Sequence, residues 1–242
     1  MTDTTTQTTP TSPSYRLDGD VAIVTLDDGK ANALSTGVLE GLHGALDRSE
    51  IEAKAVVLVG REGRFSAGFD LAAMTASVES MRNLVADGAR FLMRLYDLGL
   101  PTVAACTGHA LAAGALTLLS CDQRVGAAGP FKIGLNEVSI GMPLPVFAVE
   151  LARERLTTAE FGPATMQARI YDPDEAVAAG YLDRVVPAEQ LLTEALTEAR
   201  RLADLQTVAY ARTKHVARTA TIDHILETLD ADLAGVSGPD PA

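Results

Sequence analysis

The sequence predicts an α/β fold in a single domain that ends in a helical region, and three observations predict it. Short runs rich in Val and Ile alternate with helical stretches from Val21 to Pro187. Everything after Pro187 has helical periodicity. The chain has 242 residues, 47% of them hydrophobic, enough to bury one sizeable core.

The strand-like runs come in order as VAIVTLD (Val21 to Asp27), AVVLVG (Ala55 to Gly60), TVAACTG (Thr102 to Gly108), DQRVGAA (Asp122 to Ala128) and LDRVVP (Leu182 to Pro187). Between the first two, TGVLEGLHGALDRSE (Thr36 to Glu50) sets Val38, Leu39, Leu42 and Leu46 at helical spacing. Val78 to Leu98 does the same over a longer span. Beyond Pro187 follow EQLLTEALTEARRLADL, TVAYARTKHVARTA and TIDHILETLDADLAG. The expected organisation is a core over residues 15–187 and a helical region over 188–235. Residues 1–14, rich in Thr, Ser and Pro, and residues 236–242 are expected to be disordered tails.

Charge narrows the function. Twenty basic against 32 acidic residues give a net charge of −12, which argues against a nucleic-acid or anionic-membrane surface. No apolar run reaches the roughly 18 residues of a membrane-spanning helix, and no signal-peptide core is present, so a soluble, cytoplasmic protein is expected. Cys106 and Cys121 stand in apolar sequence without metal-ligand spacing; they read as reduced core thiols, and no metal is expected.

Three segments carry chemistry. In EGRFSAGFDLAAM (Glu62 to Met74), Ser66, Ala67 and Gly68 sit at a turn where backbone amides can meet an oxyanion, or where Asp70 simply caps a helix. Arg64 replaces the Gly of a nucleophile elbow, which makes Ser66 a poor nucleophile. In TGHALAAGALTLLSCDQRV (Thr107 to Val125), small residues surround a helix start whose first amides have no intrahelical acceptor; the bland alternative is a tightly packed core helix. His109 there could be a base or a hydrogen-bonded lining residue. In FKIGLNEVSIGMPLP (Phe131 to Pro145), Glu137 is the only acid. It is either a loop acid or a buried carboxyl whose raised pKa suits proton transfer, with Lys132 the nearest basic residue in sequence.

Together with DDGKANALS and DPDEAVAAGYLDRVVP, these segments resemble the crotonase (enoyl-CoA hydratase/isomerase) superfamily. FSAGFDL is similar to its F-x-A-G-x-D-L segment, and GHALAAGALTLLSCDQRV to its G-x-A-x-G-G-G-x-E-L-A-L-x-C-D-x-R segment. The resemblance implies a crotonase-like spiral of ββα units, assembled as homotrimers or pairs of trimers. It implies an acyl-CoA thioester substrate, with coenzyme A part of that substrate and no separate cofactor. It assigns the oxyanion amides to Ala67 and Ala113, the latter standing where the family has Gly. Substrate contacts fall on Lys30, Asn32, Ala33, Ala67, Gly68, Phe69, Asp70, Leu71 and Asn136. Lys214 is a candidate for a CoA phosphate across a subunit interface.

Hydratases of this family use two glutamates; here the first position is Leu116 and the second is Glu137. One carboxylate suffices to move a double bond, so the resemblance implies an enoyl-CoA isomerase with Glu137 as acid and base, in the manner of Δ3,Δ2-enoyl-CoA isomerases. The alternatives are an enoyl-CoA hydratase, its second polar group drawn from His109 or Glu150, and an acyl-CoA binding protein without turnover.

Overall fold

A computed structural model describes residues 12–235. The order is β1 (Ser14–Asp18), β2 (Val21–Thr25), α1 (Thr36–Glu52), β3 (Ala55–Val59), β4 (Gly63–Ser66), α2 (Leu71–Ala76), α3 (Val78–Asp97), β5 (Thr102–Cys106), β6 (Gly108–Leu111), α4 (Ala113–Ser120), β7 (Gln123–Ala127) and β8 (Ile133–Gly134). Then come α5 (Val146–Arg155), α6 (Thr158–Thr165), α7 (Pro173–Ala179), β9 (Arg184–Val186), α8 (Leu191–Ala203) and α9 (Thr207–Gly235).

The strands form two sheets. The larger runs β1-β2-β3-β5-β7-β9 and the smaller β4-β6-β8. Among the described strand pairs, only β1 with β2 is antiparallel. Each successive unit gives one strand to the large sheet, the next to the small sheet, and then helices: β3, β4 and α2–α3; β5, β6 and α4; β7, β8 and α5. Parallel neighbours need such crossovers, and repeating them winds the chain into a spiral of ββα turns.

Both faces of the large sheet are covered, so its strands read as continuous apolar runs. Ala22, Val24, Val56 and Leu58 face the main core with α1, α3 and α4. Val21, Ile23, Val57 and Val103 point the other way, against Leu191, Ala195, Ala199 and Leu202 of α8. Thus α8 is a layer of the sheet's own packing. The last two predicted helical stretches are one helix, α9, because no Gly or Pro interrupts Ala220–Thr221. It lies across α3 and α5.

Several expectations need correction. The small sheet was not predicted: its strands GRFS, GHAL and IG are too short to show alternation. β1 begins at Ser14 and pairs with Thr25, so that residue belongs to the fold; residues 1–11 and 236–242 lie outside the described region. Lys214 is buried, with Nζ 2.8 Å from Asp122 and bonded to Leu100 O at 3.3 Å, and Arg218 pairs with the same carboxylate. It is therefore engaged inside the fold, away from any phosphate at the surface. Cys106 and Cys121 are free and buried, and burial pushes both thiols up to about 12. No helix among the described residues is long and apolar enough to cross a membrane.

Candidate active site

One mostly apolar cavity of about 580 Å³ opens where the first spiral turns meet α3 and the 136–148 segment. Of the residues singled out in the sequence, Lys30, Ala33, Ala67, Phe69, Asp70, Leu71, Asn136 and Glu137 line it. Asn32, Gly68 and Ala113 do not.

The loop before α1 is set by two side chains. Asp28 accepts hydrogen bonds from the N–H groups of Lys30, Asn32 and Ala33 at 2.7, 2.9 and 3.3 Å. Burial pushes its carboxyl up, but these donors hold it below its ordinary value. Asn32, buried and in the left-handed region at φ 53, turns its amide inward. Its Nδ2 donates to Leu26 O, Arg64 O and Phe65 O at 2.8 to 3.2 Å, and its Oδ1 accepts from Asp28 N. The assignment of Asn32 to substrate contact is thus corrected: it fixes the loop that presents exposed Lys30 at the cavity mouth. Arg61, which sequence reasoning missed, braces the same loop by donating to Lys30 O at 2.6 Å.

Across from this loop, β4 ends in Ser66-Ala67-Gly68. Ser66 is buried; its Oγ donates to Asn32 O at 2.8 Å and accepts from Gly68 N at 3.2 Å, which accounts for it without a nucleophilic role. Asp70 caps α2 by accepting from Ala73 N at 2.9 Å. The start of α4 abuts this turn. A Cβ at Gly68 would stand 2.9 Å from Ala112 Cβ and 3.2 Å from Ala113 N, and one at Gly114 would collide with Ser66 O, so only glycines allow the approach. Ala112 holds φ 50 and ψ −126, a conformation costly for a residue with a Cβ, at the point where the start of α4 meets the turn. The Ala113 N–H, as the first of its helix, has no intrahelical acceptor. The Ala67 N–H differs: it donates to Ala31 O at 3.0 Å, and Ala31 itself lines the cavity.

Glu137 sits on the third wall. Its carbonyl accepts from Ile140 N and Met142 N, both at 3.0 Å, so a tight turn holds the residue in place. It retains some surface in the cavity wall, while Oε2 is buried with no hydrogen-bond partner among the described residues. Burial raises its carboxyl from 4.5 to about 7, with only its own backbone N–H pulling the other way. Asn136 Oδ1 is likewise buried and unpartnered. The remaining cavity carboxylates, Asp28 and Asp70, are committed to backbone N–H groups as described. Leu116 lies in the wall as an apolar group. His109 is elsewhere: its Nδ1 accepts from Lys132 N at 2.9 Å and its ring meets Phe131 edge-on. Glu150 pairs with Arg153 at 3.3 Å and does not line the cavity.

Such a site offers a backbone donor beside an apolar slot and one carboxyl group titrating near neutrality. That is equipment for removing and returning a proton next to a carbonyl. The enoyl-CoA hydratase/isomerase family model matches residues 16–236, and the chain belongs to this family, within the crotonase superfamily. It is similar to mitochondrial enoyl-CoA delta isomerase 1 of Homo sapiens, 30% identical over 218 residues, covering 88% of this chain and 72% of that one. It is also similar to a putative enoyl-CoA hydratase of Thermus thermophilus, 35% identical over 193 residues, covering 76% and 75%. Among solved structures, an enoyl-CoA hydratase/isomerase family protein of Pseudomonas syringae superposes with a TM-score of 0.87 at 43% identity, over 92% of this chain and 95% of that one.

Proposed function

We propose that the protein is a Δ3,Δ2-enoyl-CoA isomerase in which Glu137 alone carries the proton. The observation that carries this reading is the standing of the cavity carboxylates: Asp28 and Asp70 are tied to the backbone amides of other residues, and Glu137 is the one that keeps a buried oxygen, Oε2, without a partner among the described residues and titrates near neutrality. Ionised Glu137 removes a proton from C2 of a 3-enoyl thioester. The electron pair moves onto the thioester oxygen as a dienolate, and the protonated carboxyl then returns the proton to C4, leaving the 2,3 double bond. No water enters the balance.

Ala113 N–H supplies one hydrogen bond to the oxyanion. For Ala67 N–H to supply the second, the thioester oxygen must share it with, or displace, Ala31 O. Ala31 belongs to the Lys30 loop, so binding of the CoA arm and completion of the hole are coupled in this reading. Lys30, Ala33 and the Phe69–Leu71 wall take the CoA arm. As the family resemblance implies, the chain is further proposed to assemble as a homotrimer or pair of trimers.

A second reading, hydratase, has the hydratase-named relatives in its favour. It would need water activated by Glu137 without a partner acid, since Leu116, His109 and Glu150 offer none in the cavity. Separate incubation with 3-enoyl-CoA and 2-enoyl-CoA distinguishes them. Conversion of the first to the conjugated isomer, with the second left unhydrated, fits isomerisation; appearance of 3-hydroxyacyl-CoA from the second overturns it.

A further inference from the structure

The acyl cavity has a back wall built from the far end of the chain. A second, more open space of about 860 Å³ adjoins the first, and Arg82 and Leu233 line both. Leu233 ends the buried stripe Ile222, Ile225, Leu229, Leu233 of α9. Its neighbours clamp it. Asp232 accepts from Val146 N at 2.7 Å, which ties α9 to the start of α5, and Ala234 O accepts from Arg82 Nη2 at 2.7 Å, which ties it to α3. Three consecutive residues thus pin the Leu233 side chain between the two spaces. In front of it the walls are apolar, with Met81, Val85, Met142 and Phe147. Beyond it polar groups, Ser77, Ser80, Asn83, Asp87 and Asp230, share the walls with Leu84 and Ala86.

We infer that Leu233, braced by Arg82, is the floor of the acyl site and sets the longest acyl chain the protein binds productively. The inference rests on the acyl-CoA reading above. A methylene gains most by leaving water for an apolar wall and gains less in a space that is more open and about half lined by polar groups. Affinity should therefore rise about fourfold per added methylene, the factor that about 0.8 kcal/mol corresponds to, until the chain reaches Leu233. Beyond that length it should level or fall. The flexible thioethers of Met81 and Met142 adapt the side walls to chains of different shape, whereas the clamped floor does not yield.

The test is titration calorimetry of the full chain with a series of saturated acyl-CoA thioesters of increasing length. Leu233→Ala should move the break in the affinity series to longer chains by opening the way to the second cavity, and Leu233→Phe should move it to shorter ones. Leu229→Ala, a buried α9 position that lines neither cavity, should leave the break where it is. An unmoved break in both Leu233 variants overturns the floor while leaving the acyl-CoA reading intact. Failure of the wild-type protein to bind any acyl-CoA overturns that reading and the floor with it.

Discussion

Replacing Glu137 by Gln removes a titrating proton while nearly preserving shape, and the size of its effect follows from the site. Burial lifts the carboxyl from 4.5 to about 7. At about 1.4 kcal/mol per pH unit, keeping it ionised in the folded protein costs about 3 kcal/mol. Below pH about 4.5 both folded and unfolded chains hold the proton and there is no penalty. As pH rises, the unfolded chain ionises first, so this group's contribution to stability falls until pH passes about 7 and is then constant. Glu137→Gln should gain on the wild type by up to about 3 kcal/mol between about pH 4 and pH 8. The desolvation of the Gln amide is the same at both ends and drops out of the difference. Urea denaturation at the two pH values measures it. The variant should also lose isomerisation, while wild-type kcat/KM should fall about tenfold per pH unit below about 7 as the base is protonated. A stability difference that does not change with pH would refute the argument that this carboxyl is charged against an apolar wall.

Two other changes test the scaffold. Gly68→Ala puts a methyl 3.2 Å from Ala113 N at a residue with φ +95, and should lower kcat/KM about 10²-fold by obstructing the start of α4, with circular dichroism unchanged. Asn32→Ala strips Leu26 O and Phe65 O of a buried donor; it should cost about 1–3 kcal/mol in denaturant titrations and raise KM by loosening the Lys30 loop.

What was legible in the sequence has a physical pattern. The central strands of the large sheet were readable because both of its faces are buried, so Val, Ile, Leu and Ala dominate them, most completely in β3. β1 was missed because it is an edge strand with exposed residues and no apolar alternation, and β4, β6 and β8 because two to four residues cannot display a period. Glu137 was legible because an acid inside an apolar run must either escape to water or be held for use. Motif position did not give side-chain direction: Asn32 sits within the substrate-contact motif yet points into the fold, since its left-handed backbone turns the amide toward Leu26 and Phe65. Ala112 was legible in principle, standing where the family pattern has the first of three glycines. Leu233 left no local signal, because its role arises only when α9 folds back over α3 and α5.

The central claim, one carboxyl taking a proton from C2 and returning it to C4, is tested most directly by isotope transfer. The protein is incubated with 3-enoyl-CoA carrying deuterium at C2, and the 2-enoyl-CoA product is analysed by mass spectrometry and NMR after a single turnover. With both C2 hydrogens replaced, the account predicts that one deuterium stays on C2 and that part of the one removed appears at C4, the rest of it having exchanged with solvent while Glu137 held it. No deuterium at C4 in any product, or formation of 3-hydroxyacyl-CoA in place of the conjugated isomer, would contradict it.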